Sequence, residues 1–93
     1  MSQTVEQKGA HADALIAKHV EPHPSRPGKA EWRLKERGVP VWVLIAFLTP
    51  DGANINQLAE DYGISVEAVE AARAYYAQHK ALIDARIEAN RAA

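Results

Sequence analysis

The stretch from Ile55 to Tyr76 constrains this chain more than any other. Ile55, Leu58, Ala59 and Tyr62 recur at helical spacing, and Val66, Val69, Ala72, Tyr75 and Tyr76 do so again. A period near 3.6 predicts two amphipathic helices. Gly63 suits the left-handed position after the first of them. Ser65 can accept from the orphan amides of the second, and Glu67 puts negative charge in its first turn. Asn54, with Gln57 three residues on, reads as a start signal for the first helix. Ala59 falls where the helices would cross most closely, Ile64 plugs the corner, and Val69 packs back on Leu58. A small residue, a turn glycine and a β-branched residue in this order predict a helix-turn-helix.

The rest of the chain is read around that unit. Ninety-three residues make one domain, near the lower end of what folds unaided. Alanine is abundant and aromatics are few, namely Trp32, Trp42, Phe47, Tyr62, Tyr75 and Tyr76. The core is therefore small, and a homodimer is expected to help cover it. With no cysteine, disulfides and thiolate metal sites are excluded, which fits the cytoplasm. Met1–Ala10 has no apolar run, so no signal peptide is expected. Val39–Leu48 is about half the length of a membrane span, so it is expected to be a core helix and no membrane partner is expected.

Three segments follow. Residues 1–12 are expected to be a loose tail. Residues 13–38 form an N-terminal arm with a short β element and a proline-rich loop. Within it, His11–Val20 suits either a short helix or a strand, and Glu21–Gly28 holds three prolines that forbid a helix. Ala30–Leu34 alternates as a short strand would. Residues 39–93 form the helix-turn-helix domain with a C-terminal helix. Pro40 is placed in the first turn of its opening helix, and Val41–Leu48 is expected to be buried on most sides. Beyond Tyr76 the pattern runs on through Ile83 and Ile87, and one long helix or two broken near Gln78–Lys80 both fit. The fold class expected is mainly α: a helix-turn-helix bundle of three to four helices with a short N-terminal β element.

Net charge is −1, but it is unevenly spread. Arg26, Lys29, Arg33, Lys35 and Arg37 make a basic arm, whereas Pro50–Ala72 holds no lysine or arginine. In a helix-turn-helix, the outward N-terminal residues of the second helix meet the bases. Here these are Ser65, Val66, Glu67, Glu70 and Ala71, with Arg73 the one basic residue near them. Duplex affinity comes mainly from lysine and arginine on phosphates. Two glutamates facing a polyanion oppose it, so the arm and a dimer partner would have to supply the affinity. The alternative is that the unit packs or binds protein, since fold does not fix function. Trp32 is a candidate dimer contact, Trp42 a core residue, and Leu82, Ile83 and Ile87 a docking stripe for a partner protein. His19 and His23 have a spacing that binds metal on a helix, but Pro22 and Pro24 flank His23 and forbid that helix, so no metal is expected. No nucleophile is paired with a base and no phosphate-cradling loop is present, so neither an enzyme nor a cofactor is expected.

Certain segments also resemble a known family. Gly38-Val-Pro-Val-Trp-Val-Leu-Ile, Leu58-Ala-Glu-Asp-Tyr-Gly-Ile-Ser, Val69-Glu-Ala-Ala-Arg-Ala-Tyr-Tyr-Ala, His79 and Ile83-Asp84 resemble the small bacterial domain of unknown function 433. The resemblance runs from about His19 to Ile87. It implies a dimer-forming N-terminal β element and a helix-turn-helix. It also implies an antitoxin that represses its own operator and neutralises a toxin, often one with a PIN-like nuclease fold. Members carry Gly-Thr-Arg before the first helix. Here Glu36-Arg37-Gly38 stands instead, so no role of that threonine carries over.

Overall fold

The computed structural model describes residues 2–93, with side chains from Gly9 onward. Five helices and a two-stranded antiparallel sheet make up the fold among the described residues. They are α1 (Ser2–His19), β1 (Val20–Glu21), a single 3-10 turn (Lys29–Glu31), β2 (Arg33–Leu34), α2 (Val41–Phe47), α3 (Ile55–Tyr62), α4 (Val66–Gln78) and α5 (Lys80–Ala92). The chain is thus mainly α with a small N-terminal β element, but it has more helices than three to four. Two causes account for the difference: the N-terminal segment is helical, and α4 and α5 are separate.

The loose tail expected over residues 1–12 falls largely on residues 1–8, outside the described side chains, while Gly9–Ala12 continue α1. Leu15, Ile16 and His19 give α1 an inner stripe, and the chain passes directly into β1. Val20 pairs with Leu34, and Glu21 with Arg33. Lys35 closes the end of α1, its N–H donating to the His19 carbonyl and its Nζ to that of Ala17. The stretch His11–Val20 therefore resolves as a helix with a strand beginning at its last residue. The expected strand over Ala30–Leu34 is real only for Arg33–Leu34, because the preceding residues coil into the 3-10 turn.

Pro40 stands at the N-cap of α2 in extended conformation, one residue outside the first turn, and bridges back to Arg33. Only Val41 and Leu44 of α2 are buried, and Phe47 is 63% exposed. Burial on most sides holds only in part: Trp42, Ile45 and Leu48 are half-buried against the core, and Phe47 stands at the surface.

The helix-turn-helix is built largely as its residues predict. Gly63 is left-handed (φ 66°, ψ 37°), and Ser65 Oγ accepts from the Ala68 N–H at 3.0 Å. Ala59, Ile64 and Val69 share the buried core, and Leu58 is buried outside that cluster, so the expected packing of Val69 on Leu58 is not seen. Asn54 differs. Its amide donates to the Phe47 carbonyl at 2.8 Å and accepts from the Thr49 N–H at 2.9 Å, so it closes the end of α2 and does not cap α3. Gln57 donates forward to Asp61. The largest fully buried side chains are Tyr75, Leu34, Leu44, Ile83, Val41 and Val69. Trp32 stacks on Tyr75 at 5.6 Å, and the Tyr75 hydroxyl donates to the Lys29 carbonyl at 2.6 Å. Burial pushes the Tyr75 phenol up to about 12. His79 breaks α4 from α5 with φ −132° and ψ 36°, and its ring lies 4.5 Å from that of Tyr75. No helix among the described residues is long and apolar enough to cross a membrane.

Candidate functional site

The face of α4 expected to meet DNA lies partly against α1, while Ser65, Val66, Glu67, Glu70 and Arg73 stay exposed. Ala68 and Ala71 are fully buried, so Ala71 does not point outward as expected. Glu67 is held from α1 by two groups, Lys18 Nζ at 2.8 Å and His19 Nε2 at 2.6 Å. Hydrogen bonding to Lys18 is the main reason that the Glu67 carboxyl is drawn down to about 2. The Lys18 ammonium is raised in turn. Ser65 is not free either, since its N–H and its hydroxyl both donate to Glu36 at 2.9 Å. That carboxylate fills the N-terminus of α4, where an anion is favoured. The Ser65 backbone N–H is the main cause of the lowered Glu36 pKa. His19, only 8% exposed, lies between the two acids, with Nδ1 3.3 Å from Glu36. Val66 and Glu70 remain at the surface.

The basic arm is largely engaged in building the fold. Arg33 Nε donates to Glu21 at 2.9 Å, Lys35 holds α1, and Arg37 Nε donates to the Gly63 carbonyl at 3.1 Å. Arg26 lies 3.7 Å from Glu31. Lys29 and Arg73 are exposed and make no ion pair among the described residues. Exposed pairs of this kind are weak and exchange readily. The structure therefore does not gather the predicted cations into one bare patch beside α4.

The predicted partner residues also separate. Ile83 is fully buried and belongs to the core; it is not a docking residue. Trp32 is half-buried and stacks on Tyr75. Leu82 is 50% exposed, and Ile87 is half-buried. The Arg86 guanidinium lies over the Trp42 ring at 4.2 Å and its Nε donates to Glu31 at 2.7 Å, tying α5 to α2 and to the 3-10 turn.

One surface was not anticipated. An open groove of about 510 Å³ runs beside α2, with Ile45, Leu48, Tyr76 and Ile87 as its apolar lining and Arg73, Asp84, Glu88 and Arg91 as its charged lining. A second hollow of about 310 Å³ adjoins it through Ala46, Ile87 and Arg91 and takes in Trp42, Val43 and Phe47. Asp84 is occupied within the groove, accepting from Lys80 and from the Tyr76 hydroxyl, each at 2.7 Å. Its carboxyl is lowered mainly by Lys80. The signal lay in the Val41–Leu48 run. Val43 and Phe47, four residues apart, share a helical face away from Val41 and Leu44. Known proteins add nothing to this geometry: no family model, curated protein or solved structure matches the chain.

Proposed function

We propose that this chain is an antitoxin-like protein that works by binding and not by catalysis, and that its partner surface is the groove between α2 and α5. The observation that carries this is the exposure of Phe47, a large apolar side chain beside a hollow lined by Val43, Ala46 and Ile87. Exposed aromatic and aliphatic anchors next to a concave apolar surface are the usual energetic centre of a protein interface. The resemblance to domain of unknown function 433 supplies the partner class, a PIN-like toxin, and the setting, a cytoplasmic homodimer.

The test is co-expression of the chain with the product of the neighbouring reading frame. Phe47→Asp should reduce co-purification by at least tenfold while the helical circular-dichroism signal is kept. Ile83 is unsuitable for this purpose because it is core. Affinity within twofold of the wild type for Phe47→Asp would move the partner surface elsewhere.

A second reading, operator binding, draws support from the helix-turn-helix itself, with its left-handed Gly63 and capped Ser65. It requires Lys29, Arg73 and the arm cations to face phosphate. Duplex affinity should then fall steeply with salt, and Arg33→Ala should flatten the slope by about one. No duplex binding at low salt would remove this reading.

A further inference from the structure

We propose that the face bearing Phe47 is where two copies of this chain meet, in a two-fold dimer that sets the Phe47 ring of each copy in the α2–α5 hollow of the other. This goes beyond the partner reading, because it names what occupies that face in the chain on its own. It also places the dimer contact on α2 and not on the N-terminal β element.

The face carries both halves of a contact. Phe47 is a ridge shared by two hollows. On the α5 side lies the hollow of about 310 Å³, floored by Trp42, Val43, Ala46 and Ile87, each only partly buried. Val43 and Phe47 are one helical turn apart and share a face. A two-fold axis normal to this hollow lays one α2 antiparallel across the other. Each Phe47 ring then meets the floor of the opposite copy and covers apolar surface that the single chain leaves in water.

The charges fit the same symmetry. On the α3 side, Phe47 borders a hollow of about 410 Å³ whose charged lining residue is Asp61. On the α5 side, the charged lining residue is Arg91. Both are exposed and held only within their own helices, Asp61 by Gln57 at 2.7 Å and Arg91 near Glu88 at 3.9 Å. The two-fold exchanges the flanks of Phe47, so the acidic rim of each copy faces the basic rim of the other. A surface that meets itself across a two-fold must be self-complementary. A ridge beside a hollow, with acid on one flank and base on the other, satisfies that condition. Duplex DNA does not suit the same face, because its phosphates would meet an apolar centre and Asp61. A specific interface takes about a tenth of a small protein's surface. For a chain exposing 5896 Å², that places this contact at the small end of the specific class, so the dimer should be weak and dependent on concentration.

Sedimentation equilibrium of the full chain on its own, over a concentration series, tests this. The wild type should show a monomer–dimer equilibrium. Phe47→Asp should weaken it at least tenfold with the helical circular-dichroism signal kept. Asp61→Arg and Arg91→Asp, both at exposed positions, should each weaken it at least fivefold, since each change counts twice in the dimer and sets like charges opposite one another. Combining the two restores opposite signs across the axis and should recover the wild-type constant to within about twofold. A wild type that stays monomeric throughout would overturn the proposal. So would association that Phe47→Asp leaves unchanged, or a combined variant no tighter than the single ones. Masses that grow past the dimer would mean a head-to-tail contact that does not close, and the two-fold would fall. Asp61→Arg leaves Phe47 in place, so loss of the dimer with co-purification of the partner kept, or the reverse, tells this proposal apart from the partner reading.

Discussion

Ile83→Ala is the sharpest perturbation of the fold, because position 83 suits a surface stripe by spacing yet lies at zero exposure. The substitution removes three carbons from a closed interior. At about 0.8 kcal/mol per buried methylene, the transfer loss alone is about 2.4 kcal/mol. The cavity left behind adds to it, and buried isoleucine-to-alanine changes cost about 2–5 kcal/mol in all. A loss of about 3 kcal/mol is expected, against a total stability of about 5–14 kcal/mol for a chain of this size. With a urea slope near 1.5 kcal/mol per molar, the midpoint should fall by about 2 M. Circular dichroism at 222 nm and tryptophan fluorescence should report the same transition, since Trp32 and Trp42 both pack on the core. Leu82→Ala, one residue away and half-exposed, is the control, with an expected change within about 0.5 kcal/mol. A loss below about 1 kcal/mol for Ile83→Ala at unchanged slope would refute the placement of α5 on the core.

Tyr75→Phe removes the hydroxyl that serves the Lys29 carbonyl and should cost about 1–2 kcal/mol in thermal or urea unfolding, with no change in helix content. Gly63→Ala should cost about 1–2 kcal/mol for the left-handed backbone, and its Cβ would also meet Arg37 Nε at 2.9 Å. A neutral or stabilising result would mean that the turn can be rebuilt. Glu67 gives the pH dependence. Its pKa is lowered from 4.5 to about 2 in the folded chain, so its contribution is full above about 4.5 and is lost as pH falls towards 2. In carboxyl carbon NMR, Lys18→Ala should move that titration back towards 4.5, and an unmoved titration would assign the shift to His19.

Much of the helix-turn-helix was legible, because its signals are local. A turn glycine, a serine cap and a 3.6 period act within a few residues, and Gly63, Ser65, Ala59 and Val69 all stand where those rules put them. Asn54 shows where local rules stop. An asparagine between two helices can serve either one, and the choice went to the Phe47 and Thr49 backbone because the turn folds back on α2. The candidate site was less legible for a related reason. Ser65, Glu67 and Ala71 have the right positions for a reading face, but Lys18 and His19, the groups that hold Glu67, lie about fifty positions away. Likewise Arg33, Lys35 and Arg37 look like a free basic run, and their partners Glu21, Ala17 and Gly63 are set by tertiary structure. The half-open state of α2 depends on how far α5 reaches, which no spacing within Val41–Phe47 encodes.

The break at His79 has a consequence for the groove. It contains neither glycine nor proline, so nothing in the local sequence of residues 66–92 demands a bend. The bend exists because Ile83 is taken into the interior and Arg86 is drawn to Trp42 and Glu31. The corner is thus held by tertiary contacts, and it sets the wall of the groove beside α2. A straight run of α4 into α5 would leave no hollow there, so the concave surface beside α2 depends on the corner at His79.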